Sequence, residues 1–520
     1  MDKKWLLGAT ALVATAVLVG CGSKETPKAA KEKKDKDTFT YAISGDLSSM
    51  NPINVGDRWG LTVTNLIYSP LVRIEGDGQE KMELADSVTP AEDGKSMTVK
   101  LKDNIKWSDG EPLTADDVVF TYQEKVKKEN GGADALWIGD KPVEVEKVDD
   151  VTVKFNLPSV SAAAMNNIAT ETYIIPEHIF KDEPDFSGSD LQADPVGSGP
   201  YKLTNYKRGE YLQFEANETY FGGEVNVPKV TLRIISNADT TKVALQKGEV
   251  DASFLLPNNI KDIEASDLDT YIYSENRVGY MGVNNNSEKL KDIKVRQAIF
   301  YALNKDELNT AGYLSTDYYD NVYSILPPQN PFATEDVEKY ETNVEKSKEL
   351  LQEAGVKELK LNLAFTSDDP VQTIQATLIQ QQLQKAGITL ELAGGDGSAM
   401  FAEMAKPDTT KYDLFMGGYI MGNDPDLYSA LFKSDGSANY FKYHSDAADE
   451  LFDKGAVTLD KTERKEIYAD LQRQIASDAT FYPIVDSKKV LAVNKAVQGI
   501  EEAKLVPIYT FEDASKISIK

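Results

Sequence analysis

The chain has 520 residues, 84 Asp and Glu against 57 Lys and Arg, a net charge of −27 and a single cysteine. That charge excludes nucleic acid as a partner and excludes a body lying flat on an anionic membrane. An apolar fraction of 41% is enough for packed cores, and one cysteine excludes an intramolecular disulfide. The amino-terminal stretch is the first segment with a definite reading. Lys3 and Lys4 precede an apolar run from Trp5 to Val19, closed by Gly20 and Cys21. A basic start, a short apolar run and small residues before a cut define a secretory signal peptide over residues 1–20. The run is shorter than the roughly 20 residues that a spanning helix needs.

The ending Leu18-Val19-Gly20-Cys21 resembles the bacterial lipobox. The resemblance implies cleavage before Cys21, lipidation of its sulfur and a protein held on the outer face of the bacterial cell membrane by acyl chains. Residues 22–37 carry six Lys, two Glu, two Asp and a Pro, with almost nothing to bury. Such a stretch cannot offset the entropy of ordering and reads as a flexible tether over residues 21–37. Folded structure is expected from Thr38, where Thr-Phe-Thr-Tyr-Ala-Ile reads as a strand.

Further along, Asp46, Leu47 and Ser48 fall in a turn-rich loop, and residues 61–68 read as a helix. Ser108-Asp-Gly110 is turn chemistry. Thr114 suits an N-cap, with Asp116 and Asp117 in the first turn and Val118, Val119 and Tyr122 on the buried face. Residues 146–155 alternate like a strand. Residues 344–354 and 374–386 read as amphipathic helices ended by Gly355 and Gly387, each leading into an alternating run at 359–365 or 388–392. The second half is therefore helix–strand alternation.

The stretch Trp107-Ser-Asp-Gly-Glu-Pro-Leu-Thr-Ala-Asp-Asp-Val-Val-Phe-Thr-Tyr122 resembles the signature of the family 5 extracellular solute-binding proteins, the oligopeptide- and dipeptide-binding components of ABC importers. Pro195-Val-Gly-Ser-Gly-Pro-Tyr-Lys-Leu203, Ala244-Leu-Gln-Lys-Gly-Glu-Val-Asp-Ala252, Val295-Arg-Gln-Ala-Ile-Phe-Tyr-Ala-Leu303 and Tyr412-Asp-Leu-Phe-Met-Gly-Gly-Tyr419 with Asp424-Pro-Asp426 resemble further family segments in order. The resemblance spans residues 39–510. It implies an α/β, bilobal, periplasmic-binding-protein-like hinged trap with an extra domain inserted in the first lobe. The layout it implies is a first lobe of 38–80, 196–284 and 478–520, an inserted domain of 81–195 and a distal lobe of 285–477, with a hinge near Val283-Asn284 and Ala479–Phe481.

The resemblance also implies a function. The partners would be a peptide ligand, the permease and ATPase subunits of an ABC importer, and the membrane through the anchor, with the protein itself a monomer. A peptide held as an added strand is bound mainly through its backbone. Its amino terminus needs a carboxylate, because an unpaired buried charge is costly. The family places that acid after the strand matching 412–419, which makes Asp424 and Asp426 the candidates; the extra acid that some members carry is Met421 here. Gly417, Gly418 and Tyr419 are candidates for close backbone approach and ring stacking, and Asp46, Leu47 and Ser48 for contacts from the facing lobe. Tyr313, Tyr318, Tyr319 and Tyr323 are candidate pocket walls, and Arg277 and Arg296 candidate partners of a ligand carboxylate. Alternatives within the same fold are a nickel chelate, haem or an oligosaccharide as ligand, or a pheromone-receptor or adhesin role. No hydrolase, phosphate-loop or dinucleotide motif occurs, and two histidines, His178 and His444, do not make a metal site; neither an enzyme activity nor a cofactor or metal is expected.

Overall fold

Two long strands, Leu268–Val283 and Phe481–Asn494, run antiparallel along almost their whole length, from Leu268 opposite Asn494 to Gly282 opposite Phe481. The computed structural model containing them describes residues 37–75, 79–130, 136–169, 172–183, 195–263 and 266–520. The signal segment, Cys21 and the tether to residue 36 lie outside the described residues.

The pair forms the spine of an 11-stranded sheet. On one side Ala252–Leu255 pairs with Phe481–Asn494, followed outward by Thr38–Ile43, Lys229–Ile234, Tyr211–Ala216 and Tyr201–Lys207. On the other side Leu414–Ile420 pairs with Leu268–Val283, followed by Leu359–Thr366 and Ile388–Gly395. Each wing contains a parallel pair, and the helix Pro370–Lys385 connects Leu359–Thr366 to Ile388–Gly395. Parallel neighbours require such a crossover, which is why helix and strand signals alternate in this half of the chain.

Each long strand serves two cores. Leu491 and Val493 pack with Phe39, Tyr41, Val63 and Phe214 in the first lobe. Met281, Val283, Tyr482 and Ile484 pack with Ile299, Leu363 and Ile379 in the distal lobe. A second distal layer joins Val278 and Tyr280 to Phe415, Tyr419, Phe441 and Phe481. The register breaks between Ser274 and Val278 and again between Gly279 and Tyr280, with Asn276 in the left-handed region at φ 55°. The lobes therefore exchange cores at this break. The segments expected to form the crossing, Val283-Asn284 and Ala479–Phe481, lie at the distal end of this ladder, whose last pair is Gly282 with Phe481.

A separate antiparallel sheet of Ala85–Pro90, Ser96–Leu101, Thr152–Asn156 and Glu144–Asp149 carries the helix Ala115–Lys125. Trp107, Val118, Tyr122, Val153 and Phe155 form its core. The alternating run 146–155 is split into a hairpin, and the Asp149 carboxylate accepts from the Val151 N–H at 3.0 Å in its turn.

Local signals explain the helix ends. Thr114 and Asp117 form the capping box, with the Thr114 N–H donating to Asp117 at 2.8 Å. The helix expected from 374 begins at Pro370, capped by Asp369, since proline's fixed φ suits the first helical position. Arg58–Ile67 likewise starts three residues before the expected 61, capped by Asp57. Gly355 and Gly387 follow their helices with φ of 69° and 83°. Removing the first cap by Thr114→Ala is expected to lower the unfolding free energy by about 1 kcal/mol. Urea titration followed by tryptophan fluorescence checks this, and an unshifted midpoint would assign the helix start to packing alone.

Candidate functional site

A cavity of about 410 Å³ lies where the lobes face each other, beside the register break. Its walls come from widely separated places in the sequence. Pro70 to Glu75 and the segment 504–512 form the first-lobe wall with Tyr173; Ile420 to Asn423 and Gln329 form the distal wall; Ser274 and Asn276 lie between, and Asn166 closes one side. The size falls within the roughly 300–1,000 Å³ of small-ligand clefts.

The backbone around the cavity is unusual. Asn276, Lys504 and Ile508 all have positive φ, at 55°, 53° and 66°, and all line it. For a β-branched residue such as Ile508 this conformation is costly, and such residues gather where surrounding structure imposes them at binding sites.

The first-lobe wall is charged but balanced. Lys504 bridges Glu75 at 2.9 Å and Glu512 at 3.4 Å, Lys81 reaches Glu512 at 2.7 Å, and Arg73 pairs with Glu83 at 3.2 Å over the Tyr173 ring. Burial works against the charged form of Glu512, yet the hydrogen bond and charge of Lys81 and the nearby Lys504 outweigh it and hold the carboxyl below its ordinary range.

The lobes touch on both sides of the cavity. The Asn423 side-chain amide donates to the Glu75 carbonyl at 2.9 Å, and its own carbonyl accepts from Asn330 at 3.0 Å. Farther out, the Ala162 N–H donates to the Ala456 carbonyl at 2.7 Å, and Leu459 packs on the turn at Gly94. A glycine with φ of 65° is needed at that turn, and a Cβ there would lie 2.9 Å from the Leu459 side chain.

The residues singled out from the sequence lie elsewhere. Asp424 is buried, and its two oxygens are gripped by Arg464 at 2.7 Å each. It also caps the short turn Pro425–Tyr428 by accepting from the Asp426 N–H. A ligand amine would have to displace Arg464, so Asp424 holds the loop together and does not line the cavity. Asp426 sits behind it with Tyr468 3.4 Å away. Burial first, and then the Asp424 charge, push the Asp426 carboxyl up to about 6, with Arg464 opposing.

Gly417 and Gly418 serve side chains of the protein itself. A Cβ at Gly418 would fall 2.2 Å from the Arg277 guanidinium, and one at Gly417 would fall 2.5 Å from the Tyr280 hydroxyl. Tyr419 is buried in the distal core and donates to the Ile325 carbonyl at 2.6 Å. Asp46 accepts from the Tyr206 hydroxyl and the Gly209 N–H, both at 2.7 Å; Ser48 donates to Asp57; Leu47 is buried in the first core. These three tie down their own loop.

Tyr313 and Tyr319 meet in a tilted ring contact within the distal core, Tyr318 packs at its edge, and Tyr323 lies under Lys305. Arg296 is spent on the carbonyls of Leu290, Lys291 and Asp478. His178 pairs with Asp109, and among the described residues no group of three His, Cys, Asp or Glu side chains could hold a metal. No helix among them is long and apolar enough to cross a membrane.

The contributors missed from sequence are 70–75, 274–276, 420–423 and 504–512. Position 421 is the one that carried a signal, since the loop after Tyr419 was singled out, but the weight fell on the acids beyond it.

Two lobes joined by continuous strands, enclosing a ligand-sized cavity at the crossing, define a hinged solute-binding protein. The chain belongs to the bacterial extracellular solute-binding proteins, family 5, whose middle-region sequence profile matches residues 80–463. It is similar over 96% of its length, at 28% identity, to the oligopeptide-binding protein AppA of Bacillus subtilis, covering 96% of that protein. The AppA structure in complex with a nonapeptide superposes with a TM-score of 0.77 at 25% identity over 93% of this chain and 99% of that one. The ABC transporter substrate binding protein CtaP from Listeria monocytogenes superposes with a TM-score of 0.89 at 39% identity, over 94% of this chain and 100% of that one. The nickel-binding periplasmic protein of Escherichia coli is 25% identical, over 92% of this chain and 95% of that one.

Two consequences of the Asp424 loop are measurable. Arg464→Ala leaves the Asp424 charge buried without its partner and is expected to cost about 3–5 kcal/mol of stability; a loss under 1 kcal/mol in chemical denaturation would show the pair to be dispensable. Asp426 titrates near 6 in the folded chain against an ordinary 3.8, so its contribution is present at low pH and is lost as pH rises through about 6. Asp426→Asn should therefore gain stability relative to the parent between pH 4 and pH 8, on the order of 2 kcal/mol. Parallel stability curves for the two proteins would contradict the assignment.

Proposed function

We propose that the protein is the lipid-anchored receptor of an ABC importer, catching short peptides in the interlobe cavity and delivering them to a membrane permease. The observation that carries the peptide reading is the cavity itself. It holds about 410 Å³ and is bounded by Ile420 to Asn423, which continue directly from a sheet strand. A short zwitterion in extended form fits such a slot, its backbone meeting backbone and amide groups and its side chains left with loose demands. The similarity to a protein named for oligopeptide binding supports the same reading.

Anchoring rests on Lys3, Lys4, the apolar run and Cys21. The receptor acts as a single chain outside the cytoplasmic membrane and performs no chemistry on its cargo; separate ATPase subunits would drive import. Closure is favoured by ligand contacts that exist only when the lobes meet, and the Asn423 to Glu75 hydrogen bond links the two lobes beside the cavity.

The test is the cargo. Acid denaturation of protein purified from cells, followed by mass spectrometry of what is released, is expected to give a family of short peptides. A single non-peptide species would overturn the peptide assignment and leave the fold standing.

A further inference from the structure

The acids around the cavity divide sharply by partner. Glu75 and Glu512 are paired with Lys504, Glu512 also with Lys81, Asp424 with Arg464, and Glu275 with Arg58 and Lys489. Asp486 differs from these. It is 0% exposed, lies on the long strand opposite Val278 at the register break, and has no cation within ion-pair distance among the described residues. Its neighbour Lys488 is turned to Asp320, 3.0 Å away, and Asp320 sits opposite Asp486 in the adjoining strand. One Asp486 oxygen accepts from the Ser274 hydroxyl at 2.7 Å; the other accepts no hydrogen bond.

Ser274 lines the cavity. Its hydroxyl oxygen accepts from the Asn276 N–H at 2.8 Å while its proton is directed at Asp486. A hydroxyl has one proton and two acceptor positions, so one acceptor position on this oxygen remains. A hydroxyl donating to a carboxylate is polarised by it and becomes a stronger acceptor in turn. Gln329, beside it, also lines the cavity. Met421 offers no carboxylate, and Asn423 is committed to Glu75.

We propose that Ser274, backed by the buried charge of Asp486, receives the protonated amino terminus of the bound peptide, with Gln329 as its neighbour. This rests on the peptide reading above. Ser274 is the contact residue; Asp486 acts through it as a positioning residue that supplies the negative charge. Without a bound cation the Asp486 carboxyl is pushed up to about 6, by burial above all and also by the Asp320 charge, against the Ser274 hydrogen bond, the nearby Gln329 amide and the charge of Lys488. The phenols of Tyr313 and Tyr428 also face its charge. A bound ammonium favours the ionised carboxylate, so capture of a free amine should weaken as pH falls from 7 to 5.

The experiment offers the full-length protein two mixed-sequence tripeptide pools, one with free amino termini and one N-acetylated. Retained peptide after gel filtration is quantified by mass spectrometry. The parent protein should retain the free pool about tenfold better at pH 7, with the preference shrinking at pH 5. In Ser274→Ala, and independently in Asp486→Asn, the preference for the free over the acetylated pool should fall to about onefold at both pH values. A preference preserved in both variants, or equal retention of the two pools by the parent, overturns this assignment and leaves the peptide reading intact. Retention of neither pool by the parent overturns the peptide reading, and this assignment with it.

Discussion

The hydrogen-bonded ladder between Leu268–Val283 and Phe481–Asn494 is the constraint on which the rest depends. Strands cannot leave a ladder without stranding backbone groups, so both lobes have to be built outward from one continuous pair. The wings then collect their own hydrophobic cores, with Leu491 and Val493 buried in one and Met281 and Ile484 in the other. Between them the register slips at Ser274 to Val278. A slip weakens pairing locally, and this one lies beside the cavity and not at the strand ends.

That placement also explains the chemistry of the cleft. A break in the ladder frees side chains and backbone that a regular strand would use, and Ser274 and Asn276 are what it presents to the cavity. The neighbouring first-lobe wall is stiffened by alternating Arg73, Glu83, Lys81, Glu512, Lys504 and Glu75 contacts, whose charges balance. Coulomb attraction inside such a network repays desolvation only when each charge is matched. A wall already neutralised in this way leaves little field for a ligand charge, so recognition of charge depends on groups outside it.

The loop after Leu414–Ile420 shows how burial reassigns residues. Asp424-Pro425-Asp426 carries two carboxylates on a turn, which suits an amine ligand when read alone. In the folded protein Arg464 arrives from the helix Lys461–Ser477 and satisfies Asp424 in bidentate fashion, with the Phe332 and Tyr468 rings around its guanidinium. The same logic governs Gly418, whose missing side chain makes room for Arg277.

The local elements were legible because their causes are local. Thr114 with Asp117 caps a helix through atoms three residues apart, Gly355 and Gly387 end helices through their own φ, and alternation at 359–365 reports a strand with one buried face. The family motifs likewise extend over contiguous residues, so class and architecture could be inferred before any coordinates. Helix starts at Pro370 and Arg58 were read late because their capping aspartates precede the apolar pattern. Which carboxylate is free could not be read at all. Asp424 is occupied by a residue 40 positions away, and Asp486 meets Ser274 across 212 positions. Sequence by itself determined the elements, the fold family and the extracytoplasmic signal, since each is encoded in short range. Tertiary structure alone decided the cavity, because the availability of a charge depends on which distant partner folding brings against it.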